Sequence, residues 1–304
     1  VQYLRPEIPA IVLGAGISAF MFRDFRPRGG SAPIVRFFLG VFSIIGALVF
    51  LGCPWRTMLR LAGGDFNALF GVAGLIVGVY LGTLFLKRGY DLGRARKLKM
   101  SAGLIYLLFM AGLLVLFFVF PQIKGLAKNS ILFYSIKGPG AMHAPVFLSI
   151  LVGLIVGVIA QRSRFCTIGG IRDLILFRQF HLISAVFSLL VTVFVLNLMF
   201  GQFNPGFVGQ PIAHTMGLWN FLGMVLSGLA FALAGGCPGR QLVLAGEGDT
   251  DAGVFSLGML VGAGLAHNFL LTASPKGIGS YSAVGVIFGL VVLVWFGMTL
   301  REGD

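Results

Sequence analysis

Nine apolar runs divide the chain, at residues 8–22, 34–51, 66–86, 102–120, 145–160, 181–200, 218–234, 252–272 and 283–300. Their lengths bracket the roughly 20 residues an α-helix needs to cross a hydrocarbon layer about 30 Å thick. A bilayer offers backbone groups no water, so these runs must satisfy their own hydrogen bonds as helices. The pattern predicts an all-α polytopic membrane protein with about nine transmembrane helices. Between the runs, two stretches of mixed polarity, 52–65 and 235–250, read either as re-entrant helices that return to the side they came from or as ordinary short surface loops.

Composition removes the alternatives. Of 304 residues, 57% are hydrophobic and 11% charged, with a mean hydropathy of +0.95, which leaves no sizeable soluble domain. The net charge of +13 would suit a nucleic-acid partner in a soluble chain. Here its placement gives topology instead, because cytoplasmic loops collect Lys and Arg. Loop 23–36 carries Arg23, Arg26, Arg28 and Arg36; loop 87–99 carries Lys87, Arg88, Arg94, Arg96, Lys97 and Lys99; loop 162–178 carries Arg162, Arg164, Arg172 and Arg178. These three are expected on the cytoplasmic side. Loop 201–217 has no charge and loop 273–282 only Lys276, placing both outside. The basic loops lack interleaved aromatics, and no nucleic-acid partner is expected.

A register shift of 184 residues aligns Ser43 with Ser227, Gly52-Cys53-Pro54 with Gly236-Cys237-Pro238, Arg56 with Arg240, Gly64-Asp65 with Gly248-Asp249, and Gly74 and Gly78 with Gly258 and Gly262. This ordered, gap-free set indicates an internal duplication. Equivalent loops differ in charge, 23–36 against 201–217 and 87–99 against 273–282, so the halves are expected to be inverted relative to each other, with any substrate path at their interface. The expected organisation is a first half at 1–100, a connecting span and outer loop at 101–144, and a second, inverted half at 145–304. Cys53 would enter from outside and Cys237 from the cytoplasm.

Proline is at home at the first position of a helix, so Cys53 is expected as the N-cap of a short helix running through about Ala62, with Cys237-Pro238 repeating the device. A helix N-terminus offers unpaired N–H groups and partial positive charge, hence an anion site, and favours thiolate character in a cysteine there. The plainer reading is a small buried hydrophobe beside a helix break. Arg56 and Arg240 cannot face lipid cheaply. Their expected partners are Asp65 and Asp249, direct contact with substrate being the alternative. Cys166, in Ser163-Arg164-Phe165-Cys166-Thr167-Ile168-Gly169-Gly170, also joins a span to a short helical segment. Its counterpart under the same shift would precede Val1, which predicts a further cysteine segment there.

Three cysteines without a CxxC pair suggest neither a disulfide framework nor a zinc site. Nor do His143, His181 and His214 have metal spacing; His267-Asn268 lies in the eighth run, lining a path or merely packing. Glycine pairs at four-residue spacing (Gly74, Gly78 and Gly82; Gly153 and Gly157; Gly258 and Gly262; Gly285 and Gly289) read as helix-packing surfaces. No Walker loop, dinucleotide fold or HExxH is present, so no cofactor, metal or enzymatic activity is expected.

The duplicated G-C-P-x-R followed by G-D, with SRFCTIGGIRD, resembles the YeeE/YedE family of bacterial inner-membrane sulfur transporters. LGCPWRTMLRLAGGD and GGCPGRQLVLAGEGD look most like its YedE/FdhT branch, linked with selenium metabolism. The resemblance implies passage of a thiosulfate-like anion, or a selenium species, along Cys53 on the outer side, Cys237 near the constriction and Cys166 on the inner side. Gly52, Pro54, Arg56, Asp65, Gly236, Pro238, Arg240 and Asp249 would support that path. A membrane-embedded thiol carrier handing sulfur or selenium to a cytoplasmic partner protein is the alternative.

Overall fold

The computed structural model describes residues 5–120 and 144–301. Residues 121–143 of the expected connecting span and outer loop at 101–144, His143 among them, lie outside them. All nine apolar runs are helices: α1 (Glu7–Met21), α2 (Pro33–Phe50), α4 (Asn67–Lys87), α5 (Met100–Val119), α6 (Val146–Ser163), α8 (His181–Met199), α9 (Gly217–Ala234), α11 (Thr250–Asn268) and α12 (Ser282–Thr299). Three short helices, α3 (Pro54–Ala62), α7 (Thr167–Phe177) and α10 (Pro238–Gly246), follow the three cysteines. Seven helical segments among the described residues are long and apolar enough to cross a membrane. α1, at 15 residues, is about 22 Å long and falls short of the layer. α11 carries Asp251, His267 and Asn268 within its 19 residues, which dilute its apolar character.

Exterior and interior are composed as a membrane requires. α8 buries only Val186 among its 19 residues, leaving Phe187, Phe194 and Leu198 outward. α9, by contrast, is buried at every position from Gly223 to Ala234.

Two compact units form, one from residues 1–30, 95–164 and 242–253, the other from 31–94, 165–241 and 254–304. Each draws on both sequence halves. In the first, Val12, Tyr106, Leu107, Met110, Ala245 and Ala252 make the core. Its basic loops are tied together. A two-residue antiparallel ladder joins β1 (Arg28–Gly29) to β2 (Arg96–Lys97), and Arg162 reaches Asp24 at 3.1 Å. Within this unit, segments of all three basic loops therefore meet.

In the second unit, α9 lies against both α2 and α4, and glycines set the closeness. A Cβ on Gly74 would collide with the Phe221 carbonyl and one on Gly78 with that of Val225; in the equivalent places, Gly258 meets Phe37 and Gly262 meets Val41. Phe37 and Phe221, like Val41 and Val225, are themselves 184 residues apart, so the same 184-residue register recurs in the packing. Ser227 Oγ donates to the Ser43 carbonyl at 2.8 Å, joining the two residues that set the register. At the C-terminal end of α2 the two charge-poor loops converge: His214 Nε2 lies 2.8 Å from the Val49 carbonyl, and Ala273 N–H donates to that of Leu48 at 3.2 Å. The basic loop holding Ser31 and Arg36 sits at the other end of this 18-residue helix, about 27 Å away.

Candidate functional site

Each cysteine stands immediately before a short helix. Cys53 is the N-cap of α3, with extended backbone (φ −84°, ψ 171°) and Pro54 at the first helical position. Cys166 caps α7, its Sγ accepting the Gly169 N–H at 3.2 Å. Cys237 precedes Pro238, and its Sγ accepts the Arg240 N–H at 3.4 Å. The sequence-derived helix boundaries at Cys53–Ala62 and Cys237–Pro238 hold. These stretches are helices, not surface loops: Pro54, Thr57, Met58, Arg60 and Ala62 of α3 are buried.

The fold brings two of the three thiols together. Cys237 N–H donates to Cys166 Sγ at 3.4 Å. Cys166 and Cys237 are 5% and 0% exposed, while Cys53 is half-buried. Trp55, two residues after Cys53, links the third helix to this pair. Its indole covers Gly239 on α10 and lies 5.7 Å from the Phe165 ring, next to Cys166. The arrangement is two helix N-termini meeting at Cys166 Sγ and Cys237 N–H, each adding N–H donors and partial positive charge. The Arg240 guanidinium lies close enough to act electrostatically on Cys166.

The expected aspartate pairings do not form. Asp65 binds Arg60, not Arg56: Arg60 Nε donates to Asp65 Oδ2 at 2.7 Å, with both side chains buried. Asp249 binds Arg28, not Arg240, again at 2.7 Å. The reason is the turn after each helix. Gly64 and Gly248 take positive φ (97° and 93°), which only glycine adopts easily, and fold the chain back so that Asp65 N–H bonds to the Arg60 carbonyl and Asp249 N–H to that of Leu244. The carboxylate thus lands beside position 60 or 244, one helical turn beyond position 56 or 240. Position 60 is arginine but position 244 is leucine, so Asp249 recruits Arg28 from the loop before α2. The lone arginine in one copy of the repeat was the available signal.

Arg60 also donates to the Phe50 carbonyl at 2.8 Å and lies over the Phe50 ring, 4.2 Å from its centre. It thereby ties the end of α2 to the turn that positions Cys53. His214 and Asn67 serve the same region: Asn67 Nδ2 bonds to Asp65 Oδ1 at 2.9 Å and to the Phe207 carbonyl at 2.6 Å. Burial holds the His214 imidazole below the ordinary histidine range. Among the described residues, no group of three or more His, Cys, Asp or Glu converges to hold a metal ion.

Both turns are pinned the same way. Asn204 and Gly206 N–H groups donate to the Gly63 and Gly64 carbonyls, and Arg26 and Arg28 N–H groups donate to those of Glu247 and Gly248. Each duplicated turn is therefore clasped by a loop from the other half of the sequence.

Residues 162–298 match the family described as Sulphur transport. Over 112 residues the chain is 36% identical to a Spirochaeta thermophila protein named thiosulfate transporter TsuA, covering 35% of this chain and 32% of that protein. Over 108 residues it is 28% identical to the Escherichia coli protein of the same name, covering 35% and 30% respectively. The match spans about a third of the length of these relatives.

Proposed function

We propose that this multi-pass membrane protein, whose residues 162–298 match the sulphur-transport family, takes up a small sulfur-containing anion of the thiosulfate type along Cys53, Cys166 and Cys237. The observation that carries the reading is the contact between Cys166 and Cys237, which are far apart in sequence, each at the start of its own helix, and both within the family match. The relatives' names supply the substrate class.

The chemistry suits such an anion. Thiols are weak donors, and helix N-termini hold negative charge without the full ion pair that would trap a passing ion. In this reading the cysteine helices enter from opposite sides as an inverted pair, and Gly52, Pro54, Gly236 and Pro238 shape the helix starts. Arg56 and Arg240 add positive charge near the path, while Asp65 and Asp249 fix the turns behind it. Selenium analogues are a finer form of the same proposal, since selenium shares sulfur's size and softness. The thiol contact also favours a second reading, in which the pair passes sulfur or selenium to a cytoplasmic carrier protein by exchange.

Labelled thiosulfate uptake into proteoliposomes holding the full-length protein tests the transport reading. Cys53→Ala and Cys237→Ala should each abolish uptake with protein levels unchanged; normal uptake in both would overturn it. Serine replacements separate the two readings, because uptake retained with serine excludes a covalent relay. Competition by selenite and selenide reads out the selenium branch.

A further inference from the structure

Two buried donors beside the cysteine pair are left over by the protein's own hydrogen bonding. Thr167, the first residue of α7, is 0% exposed, yet its Oγ1 has no hydrogen-bond partner among the described residues. It directly follows Cys166, whose Sγ accepts the Cys237 N–H at 3.4 Å, which sets its hydroxyl beside the cysteine pair. The second donor is Trp55 Nε1, buried and likewise without a partner among the described residues. The atom bonded to it, Cε2, lies 2.8 Å from where a Gly239 Cβ would stand, so the indole N–H is held against the first turn of α10. Folded proteins rarely leave such groups unpaired, because removing them from water forfeits a hydrogen bond. An indole N–H only donates, and a hydroxyl can donate. Both lie where two helix N-termini and Arg240 favour negative charge.

Thiols and these donors suit different atoms. The thiols are soft and weakly donating, matching a terminal sulfur; an indole N–H and a hydroxyl match oxygen. We propose that Trp55 Nε1 and Thr167 Oγ1 bind the oxygen atoms of an oxyanion whose terminal sulfur or selenium faces Cys166 and Cys237. They thereby select oxygen-bearing species such as thiosulfate over hydrosulfide. This rests on the cysteine-path reading for the sulfur end. The selection follows from a general asymmetry: a site built to hydrogen-bond a group rejects a ligand lacking it, because its buried donors then go unpaired.

Equilibrium binding of labelled thiosulfate to the purified full-length protein, with hydrosulfide as competitor, tests this, and vesicle uptake is measured in parallel. Trp55→Phe keeps a ring over Gly239 without the N–H; Thr167→Val keeps the shape without the hydroxyl; Thr167→Ser restores it. The expected result is at least tenfold weaker thiosulfate binding in Trp55→Phe and Thr167→Val, near-normal binding in Thr167→Ser, and hydrosulfide competition changed less than twofold. Unchanged thiosulfate binding in both variants, or equal losses for thiosulfate and hydrosulfide, would overturn the proposal. Absence of thiosulfate binding to the wild type would overturn it too, whereas binding without uptake would count against the transport reading alone. If Trp55→Phe does not fold, the contrast between valine and serine at 167 decides.

Discussion

Asp65→Ala should be one of the most damaging single changes outside the cysteine pair, and the duplication supplies its control. The Arg60 and Asp65 side chains are 6% and 4% exposed. Deleting the carboxylate leaves a guanidinium in place without its counter-charge, a situation that costs about 3–5 kcal/mol. The Asn67 backbone N–H, 2.9 Å from Asp65 Oδ1, loses its acceptor as well. At the equivalent position, Asp249→Ala removes the partner of Arg28, whose side chain is 41% exposed and can turn to water. There the pair itself is worth about 0–1 kcal/mol. Loss of the carboxylate that accepts the Asp251 and Ala252 N–H groups at the start of α11 adds about 1 kcal/mol. The predicted gap between the two alanine variants is therefore about 2–3 kcal/mol. Arg60→Leu with Asp65→Asn, which installs the leucine that the second copy carries at 244, should recover most of the loss, since a buried pair replaced as a unit is often near neutral. Reversible unfolding in mixed micelles gives the free energies. Equal costs for Asp65→Ala and Asp249→Ala, or no recovery in the double variant, would refute the reasoning.

Gly74→Val should weaken the α4 to α9 contact by about 1–3 kcal/mol or more, because the added side chain meets the Phe221 backbone carbonyl, which cannot step aside; wild-type unfolding midpoints for this variant would show that the helices do not depend on that approach. The depressed pKa of His214 makes stability pH-dependent, since the unfolded state takes up a proton first. Stability should be flat above about pH 6.5 and fall as pH drops below it. His214→Gln should remove that part of the slope; identical wild-type and variant profiles between about pH 5 and 8 would exclude the histidine as its source.

The periodicity of apolar residues located the helices closely: the run at 34–51 became Pro33–Phe50 and that at 283–300 became Ser282–Thr299. Hydropathy succeeds because a bilayer admits one spanning solution for such runs. The N-cap position of Cys53 was equally legible, since Pro54 can be accommodated at the start of a helix and not in its middle. The partners of Asp65 and Asp249 were not, because they depend on how a glycine at positive φ folds the chain back. A pattern conserved between two copies pointed to Arg56 and Arg240 when the decisive residue, Arg60, was the one the copies do not share. The contact between Cys166 and Cys237 was also hidden: they are 71 residues apart, and neither helix start carries a mark of what it faces.

The clasped turns bear on how this chain is made. Gly63 and Gly64 emerge about 140 residues before Asn204 and Gly206, whose N–H groups satisfy their carbonyls. At roughly 5–20 residues per second, that is on the order of ten seconds of synthesis. During this interval α3 has its N-terminal cysteine and its Arg60 to Asp65 pair but not its clasp, while the turn after α10 finds Arg26 and Arg28 already inserted. The first copy must wait for its partner loop and the second copy docks onto one that is ready. Insertion-stage quality control would therefore meet the first turn open far longer than the second, and the added buried arginine of α3 acts as a local fastening that holds its turn in shape until the later loop arrives.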